Sequence, residues 1–197
     1  MTQANPPSIP LLHGRYRIEE LLGTGRLAVV YRAYDERLQR QVLVHMLRRE
    51  LSGQETLRQR FVQEAHHSAR RSHQSLLEVF DSGEIAGRPY MITEFVSGRT
   101  LREVGAMALE EALLYFRQLV GAVAVCQAAG VPHPPISSNN VVLVADGHVE
   151  LLENWRTAPA EQALDIAAYR APERVAGGPL THTTTVYALG LLLIEML

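Results

Sequence analysis

The chain has 197 residues, 47% of them apolar, and a formal net charge of −2. That is enough for one large domain or two small lobes around a real core, and the charge excludes global steering toward nucleic acid or a membrane surface. A single cysteine, Cys126, excludes a disulfide within the chain; residues 1–12 lack the basic start and long apolar core of a signal peptide, and no apolar run reaches the length of a membrane span. The expectation is a soluble, cytoplasmic protein. All 19 basic residues are arginine, and the aspartates are Asp35, Asp81, Asp146 and Asp165.

Residues 1–14 are proline-rich and read as a flexible arm. YRIEELLGTG (16–25) reads as a strand entering a glycine turn, AVVYRAYD (28–35) as a second strand and RQVLVHML (40–47) as a third. Residues 55–72 have helical spacing at Leu57, Phe61, Ala65 and Ala69. SLLEVFDSGEI and RPYMITEFV read as two more strands, with turns at Ser82-Gly83 and Ala86-Gly87. The character then changes. Residues 109–130 form a long apolar helix ending in glycine, and VVLV (141–144) and HVELL (148–152) are short strands around Ala145-Asp146-Gly147. Residues 153–180 read as loop, and residues 184–197 as a last helix that is apolar on every face. A mainly β half before a mainly α half is an α+β pattern with two lobes and a hinge near 94–99.

These pieces, in this order, resemble the protein kinase family, specifically bacterial serine/threonine kinases, from about Arg15 to Leu197. GRYRIEELLGTGRLAVVYRAYDERLQR resembles the glycine-rich loop and its flanks, RFVQEA the helix with the family's glutamate (here Glu64), and YMITEFVSGRTL the hinge strand with Thr93 as gatekeeper. YRAPE (169–173) resembles the end of the activation segment, and TTTVYALGLLLIEML the central helix of the large lobe. The resemblance implies a two-lobed kinase-like fold. Residues 15–96 would be an N-lobe with a five-stranded antiparallel sheet and one helix. Residues 97–197 would be an incomplete, mainly helical C-lobe, because kinase domains continue past this helix.

Phosphoryl transfer in that family needs a lysine on the phosphates, Mg²⁺ held by an aspartate and an asparagine, and an aspartate that orients the attacking hydroxyl. Against V-A-I-K the third strand reads Val42-Leu43-Val44-His45, so an imidazole stands for the lysine, still able to bond Glu64 but a poor phosphate clamp. With no lysine in the chain, only an arginine could substitute, and Arg26 in the glycine loop is the candidate. Against H-R-D-I-K-P-x-N the loop reads His133-Pro134-Pro135-Ile136-Ser137-Ser138-Asn139-Asn140. Pro135 at the base position has no titratable group. Asn140 keeps the family's metal-ligand position and reads as a loop-stabilising amide; His133 reads as a packed or loop-bonding histidine. D-F-G reads Glu153-Asn154-Trp155. The extra methylene of glutamate misplaces the carboxylate for Mg²⁺, and Asn154 and Ser68 stand where the family's internal spine is apolar. The aspartate that anchors the catalytic loop is Thr185.

What remains is a vestigial nucleotide site: Gly23 and Gly25 in the loop, Val30 in the adenine roof, Glu94 and Val96 in the hinge, and Asn140. Leu43 replaces the small roof alanine and overfills the slot. No catalytic residue and no metal ligand is assigned, and no cofactor is expected, although the family uses ATP and Mg²⁺. The expected function is that of a catalytically inactive kinase-like domain that binds a protein partner or itself through an uncovered last helix. The alternatives are a weak kinase using Glu153, Asn140 and Arg26, and a truncated gene product without function.

Overall fold

The computed structural model describes residues 11–25, 27–133, 135–152, 167–179 and 181–197. The alternating stretches become strands β1 (Leu11–Leu12), β2 (Tyr16–Thr24), β3 (Ala28–Asp35), β4 (Arg40–Leu47), β5 (Val79–Ile85) and β6 (Arg88–Glu94), in one antiparallel sheet of order β1-β2-β3-β4-β6-β5. The sheet has six strands where the sequence suggests five. Leu11–Leu12, at the end of the proline-rich arm, pair with Arg17 and Tyr16, because Leu12 finds a buried place against Tyr16. Ser82-Gly83 is not a turn either. It lies inside β5, where a Cβ on Gly83 would stand 2.6 Å from the Tyr90 hydroxyl. The hairpin turn is Ala86-Gly87 alone, both with positive φ (47° and 74°), as a two-residue β-turn requires.

Period two sorts this sheet into two faces. Tyr16, Ala33, Val42, Val44, Met46, Tyr90 and Ile92 pack with Leu12 on one. Ala28, Val30, Leu43, Leu47 and Met91 pack on the other against Phe61 and Ala65 of helix α1 (Glu55–Ala69). The helix stops at Ala69, three residues short of the sequence estimate, with Arg70 as its C-cap.

The second half begins with β7 (Gly98–Thr100) and the short helix α2 (Leu101–Val104), neither of which has a hydrophobic period to announce it. Thr100 and Glu103 close a capping box on α2. Then come α3 (Leu109–Ala128), β8 (Val141–Val144), β9 (Val149–Leu151), α4 (Pro172–Val175) and α5 (His182–Met196). Strands β7, β8 and β9 form a small antiparallel sheet. A single core joins α3 (Ala112, Leu119, Val123, Cys126), the β8–β9 hairpin (Val141, Val149, Leu151) and α5 (Leu189, Leu192, Met196).

Helix α5 is apolar all round in sequence but not buried all round. Ala188, Leu189, Leu192 and Met196 face the core, while Val186, Tyr187, Ile194 and Leu197 are 52%, 41%, 71% and 54% exposed. The two halves meet where the loop after α1 reaches β9: Leu151 N donates to Ser75 O at 2.9 Å, and Leu76 bridges Leu151 in parallel. No helix among the described residues is long and apolar enough to cross a membrane.

Candidate functional site

The slot between the two sheets is built from both sides. Above it, the register pairs Val30 with His45 and Leu43 with Thr93, which sets Val30, Leu43, His45 and Thr93 on one face of the large sheet. Below it, Val142 and Leu152 pack with Val96 and Leu77. Val30 and Leu43 thus share one buried cluster and Val96 and Val142 another, with Thr93 opposite Leu43 in the register. They are also sealed, since none of the five is more than 6% exposed. Leu43, in the roof, packs in the same cluster as Val30, Met91 and Phe61.

His45, at the lysine position, is 1% exposed, and its Nε2 lies 2.9 Å from Thr93 Oγ1. Thr93 Oγ1–H donates to Glu94 O at 3.2 Å, so the hydroxyl accepts from the imidazole N–H. The sequence suggests Glu64 as a partner for His45; this bond ties the ring along the sheet to Thr93. Glu64 Oε1 sits 3.8 Å from the guanidinium of Arg71, a buried cation that the sequence reading passed over in favour of Arg26. Arg26 lies outside the described residues, as do Pro134, Glu153, Asn154, Trp155 and Asp165.

The glycine loop is short and pinned. Gly25 N donates to Ala28 O at 2.7 Å, closing β2 and β3 over two residues, and Gly23 pairs with Val30. Arg48 binds two carbonyls flanking the turn: its Nη1 donates to Gly25 O at 3.1 Å and its backbone N to Leu27 O at 2.9 Å. Nothing in the period or motifs distinguishes Arg48; the sheet's curl alone brings it there.

The loop around Asn140 is held by several hydrogen bonds. Asn140 Nδ2 donates to Pro135 O at 3.1 Å, Asn140 N to Ser137 O at 3.0 Å, and Leu152 N to Asn140 O at 2.7 Å. His133 Nε2 lies 2.8 Å from Thr185 Oγ1, whose own proton goes to Thr181 O at 3.0 Å, so here too the imidazole donates. Ser138 Oγ donates to Glu195 Oε1 at 2.7 Å, Tyr169 Oη accepts from Ser138 N at 3.2 Å, and Arg102 N donates to Ser138 O at 3.1 Å.

The hinge holds an acidic cluster that sequence reasoning missed. Glu94 Oε1 accepts from Glu78 N at 2.6 Å, and burial raises its carboxyl above the ordinary range against the pull of that bond. Glu150, opposite Val142 in the register, is 6% exposed. Burial, and then the neighbouring Glu94 charge, push it up to about 7, while His148 Nε2 at 3.1 Å pulls the other way. Burial alone would lower His148, but its bonds to Glu150 and Asp146 outweigh that and leave it raised. The Glu94 charge thus adds to burial in disfavouring the Glu150 carboxylate.

With this geometry in hand, the likenesses to known proteins are specific. The protein kinase domain family matches residues 16–197. The chain is 30% identical over 205 residues to the serine/threonine-protein kinase PknL of Mycobacterium tuberculosis, covering 98% of this chain and 51% of that protein. It is 31% identical to a probable serine/threonine-protein kinase, pknA2, of Bifidobacterium longum, covering 95% of this chain and 27% of that one. The chain thus spans about half, or less, of the length of these relatives. The crystal structure of the M. tuberculosis PknI kinase domain superposes with a TM-score of 0.73 at 24% identity, over 98% of this chain and 75% of that one, which is a likeness of fold. With the family match running over nearly its whole length, this chain belongs to the protein kinase domain family.

Proposed function

We propose that this domain is a catalytically inactive member of its family that serves as a protein-binding or regulatory module. The observation that carries the reading is the 2.9 Å bond from His45 to Thr93. It commits the group at the lysine position to the back wall of the slot. Leu43, 2% exposed, fills the roof where a flat ring would enter, and overpacking of such a slot costs about 1–3 kcal/mol.

The residues present do not fit ATP with Mg²⁺. Pro135 offers no titratable group at the base position, and its carbonyl accepts from Asn140 Nδ2, which leaves Asn140 Oδ1 as a single oxygen where Mg²⁺ needs several. Each missing group would need its own replacement, and such groups act as a unit rather than additively.

On the binding side, the exposed apolar face of α5 supports a protein-contact role. Val186, Tyr187, Ile194 and Leu197 recur at helical spacing and each is at least 41% exposed. Contiguous apolar patches of this kind mark interaction surfaces. The domain organisation that goes with this reading is an N-lobe over residues 15–96 and a helical lobe from residue 97 on.

Incubation of the purified protein with labelled ATP and Mg²⁺ or Mn²⁺ tests the catalytic half. No label should enter a protein substrate or the domain itself above a heat-killed control. Incorporation that disappears in Asn140→Ala would overturn the reading.

A further inference from the structure

We propose that a buried polar column, Ser68–Arg71–Pro132 above and His133–Thr185 below, locks helix α1 to helix α5 through the catalytic loop, so that the chain itself holds the two lobes in one arrangement. Arg71 follows the end of α1 and is 6% exposed; Ser68, on the last turn, is 1% exposed. The Arg71 Nη2 donates to Ser68 Oγ, its Nη1 donates across the lobe boundary to Pro132 O at 3.3 Å, and Glu64 Oε1 lies 3.8 Å away to balance the charge. The next residue, His133, carries the line onward to Thr185 Oγ1 at 2.8 Å, a side chain that is 3% exposed on α5. Three elements distant in sequence are thereby joined by consecutive directed contacts.

The physical consequence differs from that of an apolar contact. Packed hydrophobic side chains are held by shape, and their attraction has no direction. A buried guanidinium that loses its acceptors is left as an uncompensated charge, which is among the costliest states in a protein interior. Sliding α1 away from the catalytic loop would break the bond from Arg71 to Pro132 O, so the column favours one position of the helix. Ser68 supports this role, since a small hydroxyl at that place leaves room for the guanidinium and gives it an acceptor.

Amide hydrogen exchange on the full chain tests the lock. Arg71→Met keeps length and flexibility while removing the charge and both donors. If the column acts, exchange over α1 (residues 57–69) and the loop at 136–140 accelerates by about tenfold or more, the size expected from losing a buried charged bond, while β3 and β4 stay unchanged. Thr185→Val, which cuts the lower tie, should also quicken α1, although it touches no residue of that helix. The double variant should be no faster than Arg71→Met alone, because one linkage cannot be broken twice. If Arg71→Met does not fold, Ser68→Ala, which removes only the upper acceptor, is read in the same way beside Thr185→Val. An unchanged α1, an equal acceleration across the whole large sheet, or effects that multiply in the double variant would each overturn the proposal.

Discussion

Thr93 and His45 close the back of the slot: Oγ1 and Nε2 are 2.9 Å apart between side chains that are 0% and 1% exposed. An imidazole suits this position because it is flat and reaches Thr93 across the sheet. A lysine there would bring an ammonium into the same enclosed space. His45→Lys should therefore destabilise the domain, by about 1–3 kcal/mol for the lost bond and the desolvated charge, and should not restore phosphoryl transfer. Urea unfolding measures the first and labelled ATP the second; a variant as stable as the parent would show that the slot is open to solvent.

Nucleotide should not stabilise the domain. A ligand that binds only the folded state adds about 2.7 kcal/mol at a hundredfold excess over its Kd, which a melting curve detects readily. A titration to millimolar ATP with Mg²⁺ is expected to leave Tm unchanged. Leu43→Ala empties the roof next to Val30 and is the substitution most able to admit an adenine ring. It should lower stability by about 2–5 kcal/mol as a cavity, and any nucleotide-dependent rise in Tm should appear in that variant first.

Stability should fall as pH rises from about 4.5 through about 7. Glu150 is held near 7 in the folded protein against an ordinary 4.5, so the folded state binds the extra proton over that window. A carboxyl raised on folding contributes fully below its unfolded value and loses that contribution as pH climbs through its folded one. Glu94 and His148 are raised as well and act in the same direction. Glu150→Gln removes the ionisation beside Glu94 and should flatten the Tm profile between pH 5 and 8. At the acid end the sign reverses: Arg15 holds Asp35 below its usual value, so that pair is lost as pH falls through the lowered value. An identical neutral-range slope in Glu150→Gln would show that the hinge cluster is not its source.

Gly98→Ala should damage the small sheet. A Cβ on Gly98 would stand 2.2 Å from the Leu143 carbonyl oxygen and 2.7 Å from Val142 Cγ1, and the first of these is backbone that cannot turn aside. Since Gly98 pairs with Val144, the start of β7 has to leave β8. The expected loss is about 1–3 kcal/mol by unfolding, with faster amide exchange at 98–100 and 142–144 than elsewhere.

The uncovered face of α5 should make the isolated chain associate. Ile194 is 71% exposed and lies on the same helix side as Val186 and Leu197. Light scattering at tens of micromolar is expected to report species larger than a monomer, and Ile194→Glu should shift them toward monomer while leaving the fold intact. A parent protein that is monomeric and binds no dye sensitive to apolar surface would remove α5 as the contact.

Most of the large sheet, the three long helices and the β8–β9 hairpin were legible in the sequence because period two and period 3.6 are local properties. The proline at position 135 and the absence of lysine were legible too, since both are properties of the sequence itself. Tertiary structure decided the rest. Leu11–Leu12 became a strand only because Tyr16 offers a buried neighbour, and Gly83 left its expected turn to lie under Tyr90. That His45 bonds Thr93, that Arg71 spans from Ser68 to Pro132, and that the Glu94 charge acts on Glu150 could not be read along the chain. These couplings link residues 48, 61 and 56 positions apart, and no local period records which polar groups a folded core will enclose together. The reason is physical: a buried donor or charge must find a partner once water is excluded, and only the packed arrangement determines which one is within reach.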